Sequence, residues 1–322
     1  MNDPRVLRHV IEAITPASAA HAEGARLHVA PAGTPLLERV ARTLAGAQHT
    51  PRPRTERRTL LVVAGDHGIG DPGVALGAAH PTVIAAQAIA DGTAAVAQVA
   101  RTARAPIVLV DAGVREPAAM PSTTIALGFG PSSDLSRGPA MSIVDAALGL
   151  EAGIALAISL SEPGLDVLAV GALGVGAEVA SAALLGAATG TAPAGLGDEL
   201  AEQAGARGAA HAGDGGLERL AAFGGPETAV LAGAILAAAS MNIPVVLDGY
   251  ATGTAALVAA ALAPDVTGYF LAAHAGTFTQ PRILAHLGLP PLFEVGLGHG
   301  EGTGAAMALP LLDQVAALTI QR

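Results

Sequence analysis

The sequence predicts an α/β fold: an open, mostly parallel, Rossmann-like sheet flanked by helices, with a smaller helical lobe. Three observations predict it. Five short β-branched runs are apolar on both faces and end in glycine or a turn residue, as buried parallel strands require. Alanine-rich segments of helical period lie between several of them. The chain is 51% hydrophobic yet only 2% aromatic, with no Trp. The core must therefore be built of small aliphatic side chains, which let layers pack closely.

In chain order, the first fifty residues lack the alternation of strand and helix. TPRPRTERR (50–58) then reads as a linker, its four arginines a solvated approach to the sheet. TLLVVAGDHG (59–68) is the first strand and its turn. HPTVIAAQAIADGTAAVAQVARTA (80–103) has a helical period, and PIVLVDAGV (106–114) is the second strand. SIVDAALGLEAGIALAISL (142–160) is again helical, and LDVLAVGALGVG (165–176) is the third strand, running into the helix AEVASAALLGAA. ETAVLAGAILAAAS (227–240) is a buried helix, too short to span a membrane. IPVVLDGYATG (243–253) and GYFLAAHAG (268–276) supply the last two strands. The last forty residues again break the pattern. The expected division is a large α/β domain over 59–282 and a smaller helical lobe from 1–58 and 283–322. Ligands in such sheets bind beyond the carboxyl ends of the strands, so the glycine-rich turns line the expected site.

A net charge of −10 argues against a nucleic-acid groove or an anionic membrane surface as partner. The absence of Cys excludes disulfides, thiolate metal sites and a Cys nucleophile. It agrees with a reducing interior. MNDPRVLRHVIEAIT has scattered charges and no continuous apolar stretch, so no secretion signal is read. The expectation is a cytoplasmic protein.

Four motifs are candidates for chemistry. GALGVG (171–176), between a strand and a helix, either cradles a phosphate with backbone N–H groups or simply turns the chain. Its order is neither G-x-G-x-x-G nor a P-loop. GDHG (65–68) sets Asp66 and His67 side by side. Neighbours on an extended segment point to opposite faces, and His80 and Asp71 add no standard ligand spacing, so no metal is expected. Asp66 is better suited to turn amides or a ligand hydroxyl. In VVLDGYATG (245–253), Asp248 either holds a ribose hydroxyl or caps a turn. A Ser-His-Asp mechanism lacks its G-x-S-x-G elbow.

The fifth candidate is Glu301 in GHGEGTGAAMALP (298–310), a carboxylate among glycines just before a helix beginning near Thr303. It is either a cap on that helix or a general base facing a dry pocket.

VVAGDHGIGDPGV, PTVIAAQA, VDAGV, VVLDG and GLGHGEGTGAAMALPLL, in this order, resemble the nicotinate-nucleotide–dimethylbenzimidazole phosphoribosyltransferase family. The resemblance runs from LLERVARTLAGAQHTPRP (36–53) to the end of the chain. It implies transfer of phosphoribose from nicotinate mononucleotide, or a related N-riboside, to a benzimidazole-like azole, giving an α-riboside. It implies Glu301 as the general base and Gln87 near the azole pocket. Asp66, Gly68 and Asp248 fall on shared motif positions. His67, the turn residues Gly171, Gly174, Val175 and Gly176, and Gly249, His274, Gly300, Gly302 and Thr303 complete the implied substrate-binding set. No metal or cofactor is implied, and the family is homodimeric.

The chain departs from the family pattern at several points, which leaves two alternatives open: a diverged transferase using a different donor or acceptor, or a non-catalytic azole- or nucleotide-binding relative. The phosphate turn, usually like G-E-M-G-I-G-N-T, is GALGVGAEV (171–179), with Ala172 for Glu and Ala177-Glu178 for Asn-Thr. A second, arginine-bearing anion loop is replaced by TAPAGLGDE (191–199). The S-H-x-S-x-E-x-G-H stretch is AHAGTFTQPR (273–282), which keeps His274 alone. VAPAGTPLL (29–37) lacks the usual Lys, and the segment from Gly73 to Pro81 is about three residues longer than usual.

Overall fold

A computed structural model describes residues 5–27, 35–70, 73–298 and 300–319. Asp71, His299 and most of the 29–37 stretch lie outside the described residues. In chain order the elements are α1 (Arg5–Ala13), α2 (Ala19–Gly24), α3 (Pro35–Ala47), β1 (Arg58–Gly65), α4 (Pro81–Ala90), α5 (Ala95–Thr102) and β2 (Ile107–Gly113). Next come β3 (Ile125–Ala126), α6 (Ile143–Ser161), β4 (Val167–Leu173), α7 (Ala177–Thr189), α8 (Glu199–Ala209), α9 (Gly216–Phe223) and α10 (Pro226–Ser240). The chain continues through β5 (Val245–Leu247), α11 (Tyr250–Leu262), β6 (Phe270–His274), α12 (Gln280–Leu287), β7 (Pro291–Phe293) and α13 (Thr303–Leu318).

The strands form one seven-stranded sheet, ordered β3-β2-β1-β4-β5-β6-β7, and every pairing is parallel. The five expected runs are β1, β2, β4, β5 and β6. The two others are edge strands of two and three residues, too short to show a pattern. β7 begins with Pro291, which an edge strand tolerates because no partner needs its N–H. The 80–103 stretch is two helices rather than one, broken where Gly92 turns left-handed at φ 74°.

Alternate residues of the central strands feed two cores. Leu61, Val63, Leu168 and Val170 pack with α6, α7, α10 and α11. Leu60, Val62, Val167 and Ala169 pack with α3, α4, α5 and α13. The 1–58 and 283–322 segments supply β7 and helices that pack on one face of the sheet. The physical reason is the apolar face of α13, where Ala305, Leu309, Leu312 and Val315 are fully buried. The arginines of 50–58 also do more than approach the sheet. Arg57 bonds the buried carboxylate of Asp166, and the buried guanidinium of Arg58 holds Asp313 of α13 through two nitrogens.

Small residues set the layer spacing. A Cβ at Gly153 of α6 would lie 1.9 Å from the Val230 carbonyl oxygen of α10, and one at Gly233 would lie 2.0 Å from that of Leu150. The apolar stretch read from the sequence, 227–240, lies in α10, whose residues 226–239 are all buried. By length and composition alone, the 81–102 segment and α6 are apolar enough to cross a membrane. The first is interrupted at Gly92, and α6 lays its inner face on α10.

Candidate active site at the carboxyl edge

The site is built where β4, at the centre of the sheet, ends between two glycine-rich segments. On one side the chain segment 300–302 crosses the strand. Ala172 N–H donates to the Gly300 carbonyl at 2.9 Å. Gly171 has no side chain because a Cβ there would lie 2.4 Å from the Glu301 carbonyl oxygen. Gly302, at φ 102°, is the N-cap of α13 and offers no side-chain bond.

Asp248 fills that role from the end of β5. It is fully buried. One carboxylate oxygen accepts the Gly302 N–H at 2.9 Å, and the other accepts the Ala305 N–H at 2.8 Å. A carboxylate at a helix N-terminus is favoured by the exposed N–H groups and the helix dipole. Asp248 therefore caps α13 from another strand, and the side chain of Glu301 beside it is half-buried. Gly304 completes the clamp, since a Cβ there would lie 2.3 Å from His274 and 2.7 Å from Asp248. His274, at the end of β6, brings Nε2 to 3.5 Å from Asp248. Gly249 is the N-cap of α11. Thr303 is buried, and its hydroxyl oxygen, both His274 ring nitrogens and Gln280 Oε1 have no hydrogen-bond partner.

On the other side, Asp66 ties three segments together. Its carboxylate accepts the Thr82 hydroxyl at 2.5 Å, the Val175 N–H at 3.0 Å and the Arg115 N–H at 2.8 Å. His67 donates its backbone N–H to Val175 and Gly68 donates its own to Ser132, both at 2.9 Å. Gly174 passes so close to β1 that a Cβ would lie 1.9 Å from the Gly65 carbonyl oxygen. Gly176, at φ 86°, is the N-cap of α7.

The fold thus brings together Asp66, His67, Gly68, Gly174, Val175 and Gly176 on one flank of β4. Gly171, Asp248, Gly249, His274, Gly300, Glu301, Gly302 and Thr303 gather on the other. Gln87 is apart from both networks: it is exposed on α4 and its amide donates to Asp91 at 2.9 Å.

Some of the site's polar residues gave no usable signal in the sequence. The His67 ring is fully buried, with Nε2 3.0 Å from Glu227 and Nδ1 3.4 Å from Ser132. Burial lowers its pKa, but the Glu227 carboxylate outweighs that and leaves it raised. Glu227 follows the Gly-Gly-Pro that opens α10, where an acid reads only as a helix-dipole residue. Glu178, in the first turn of α7, accepts the Tyr250 hydroxyl at 2.8 Å. Burial first, and the Glu178 charge second, raise the Tyr250 pKa far above its ordinary value. In the loop that replaces the second anion loop, Gly195 and Gly197 are left-handed, at φ 69° and 78°. Arg282 of α12 donates to the Ala194 carbonyl. Among the described residues, no group of three or more His, Asp or Glu is arranged to hold a metal.

A family model described as Phosphoribosyltransferase, DBI_PRT, matches residues 14–321. The nicotinate-nucleotide–dimethylbenzimidazole phosphoribosyltransferase of Roseiflexus sp. is 38% identical over 297 residues, covering 85% of this chain and 82% of that protein. The protein of the same name from Desulforudis audaxviator is 34% identical over 340 residues, covering 97% and 94%. The crystal structure of the Thermus thermophilus nicotinate-nucleotide-dimethylbenzimidazole phosphoribosyltransferase superimposes with a TM-score of 0.80 at 30% identity, covering 98% of this chain and 96% of that one. With the seven-stranded parallel sheet and a match along nearly its whole length, the chain belongs to this phosphoribosyltransferase family.

Proposed function

We propose that the protein transfers a phosphoribosyl group from nicotinate mononucleotide, or a related N-riboside, to a benzimidazole-like azole, with Glu301 as the general base. The observation that carries this reading is the clamped 300–302 segment at the carboxyl edge of the central strand. Asp248 caps α13 and fixes the segment that carries Glu301. In the reaction, the bond from C1′ to the pyridinium nitrogen breaks and its electron pair stays with the ring. One azole nitrogen forms the new bond to C1′ with its lone pair, and the other gives its proton to Glu301. The leaving ring needs no proton, so a single base suffices. Holding donor and acceptor together in one crevice supplies the proximity the transfer requires. No cofactor enters these steps.

Purified protein incubated with nicotinate mononucleotide and dimethylbenzimidazole should form the α-riboside phosphate, read by mass. Folded protein that forms no riboside from any N-riboside donor would rule the reading out.

The proposal includes a cytoplasmic homodimer. Val144, Leu148 and Ile158 on the outer side of α6 are 55%, 40% and 43% exposed, and an apolar helix face suits a second copy. Sedimentation should give twice the chain mass, and Leu148→Glu should halve it.

A further inference from the structure

We infer that His274 is a positioning residue for the proposed base: it acts on Glu301 through Asp248 and does not touch the substrate. His274 ends β6, the strand paired with β5, and is 1% exposed. Both ring nitrogens are buried and have no hydrogen-bond partner among the described residues. The ring therefore presents no polar atom to a ligand in the crevice. Its Nε2 lies 3.5 Å from Asp248 Oδ1, the oxygen that accepts the Ala305 N–H at 2.8 Å. Two glycines leave room for the ring. A Cβ at Gly304 would lie 2.3 Å from Cδ2 and 2.9 Å from Nε2, and one at Gly276, at φ 66°, would lie 3.6 Å from Cε1. Gln280 of α12 donates its amide to the Asp248 carbonyl at 3.3 Å. Asp248 thus meets β6 through its side chain and α12 through its backbone.

A buried imidazole without hydrogen bonds is costly, and an aliphatic side chain would fill the same slot without that cost. The carboxylate it faces explains the choice of ring. Asp248 is a fully buried acid, and its two N–H bonds leave lone pairs for a further donor. The Nε2–Oδ1 separation exceeds an ordinary N–H···O bond by about half an ångström. Hydrogen bonds of this kind are often long in unliganded enzymes and tighten when substrate binds. Closing this one joins the end of β6, Asp248 and the first turn of α13 into one unit, and so fixes the 300–302 segment and Glu301 during transfer. Losing an interaction made only in the transition state lowers kcat and leaves KM alone.

The role in turnover rests on the transfer reading, so the test has one arm independent of turnover. His274→Leu fills the slot without a donor, and His274→Gln places an amide N–H near the position of Nε2. Hydrogen exchange over residues 300–306 is followed by mass spectrometry on the intact protein. It should be about tenfold faster in His274→Leu, with exchange in β1 and β4 unchanged, and His274→Gln should restore most of the protection. In turnover, His274→Leu should lower kcat by a similar factor, leave the donor and acceptor KM as they were, and be rescued by His274→Gln. Should His274→Leu fail to fold, His274→Asn, whose amide stops short of Asp248, carries the same expectations. Unchanged exchange over 300–306 would overturn the inference. So would a raised KM at constant kcat, which would make His274 a substrate contact. His274-dependent exchange in a protein that transfers nothing would uphold the positioning and remove the transfer reading instead.

Discussion

Asp248 accepts the backbone N–H of Gly302 at 2.9 Å, across 54 residues of sequence. This bond and its companion to Ala305 fix the start of α13 against the end of β5, and Glu301 with it. Asp248 is thus a positioning residue for the proposed base. Asp248→Asn replaces one acceptor oxygen by an amide that cannot accept, leaving a buried N–H unpaired. We expect a loss of about 1–3 kcal/mol in unfolding free energy, measured by urea denaturation, together with a fall in kcat.

Glu301→Gln separates chemistry from structure. The segment is held by backbone bonds from Ala172 and by Asp248, which the substitution leaves intact. Transfer should fall by about 10²–10⁴-fold, while the far-ultraviolet circular dichroism stays that of the parent protein.

Gly171→Ala tests the crossing of the 300–302 segment over β4. The new methyl would lie 2.4 Å from the Glu301 carbonyl oxygen, and backbone must shift to admit it. Overpacking of this kind costs about 1–3 kcal/mol. Activity should fall with little change in the far-ultraviolet circular dichroism.

His67 and Glu227 give the fold a pH dependence. The folded pKa of His67 is raised above an unfolded value of about 6.5. Its contribution to stability is therefore complete below about pH 6.5 and is lost as pH rises through the folded value. Melting temperatures between about pH 6 and pH 9 should decline in the parent protein. In Glu227→Gln the His67 contribution to that decline should disappear.

Much of the layered architecture was legible because its causes are local. Residues 59–65 and 165–173 are apolar on both faces, which only a strand buried on both sides explains. The 227–240 stretch is largely apolar on every side, and all of it but Ser240 is buried. β3 and β7 were hidden because two or three residues carry no periodicity; pairing with a neighbour creates them. The sequence left Asp248 and Glu301 each with two roles. Spacing alone does not reveal that an acid 54 residues earlier caps α13. The packing of β5 against α13 decides it. The Glu178–Tyr250 bond was invisible for a similar reason. Its two members follow different strand ends and meet only when those strands lie side by side. Gln87 shows the converse: its place in a motif says nothing about the solvent-facing side of α4 on which it stands.

The two-faced sheet also bears on how this protein reaches its working state. Leu60, Val62 and Ala169 are covered by α13, the final helix in order of synthesis among the described elements. The same segment delivers Glu301. A nascent chain lacking those last turns would carry an uncovered apolar surface at its centre and would lack its base. Catalytic competence and protection from aggregation should therefore arrive together, late, through contacts between residues some 240 positions apart. Premature termination near residue 300 should yield an inactive product that self-associates or is degraded.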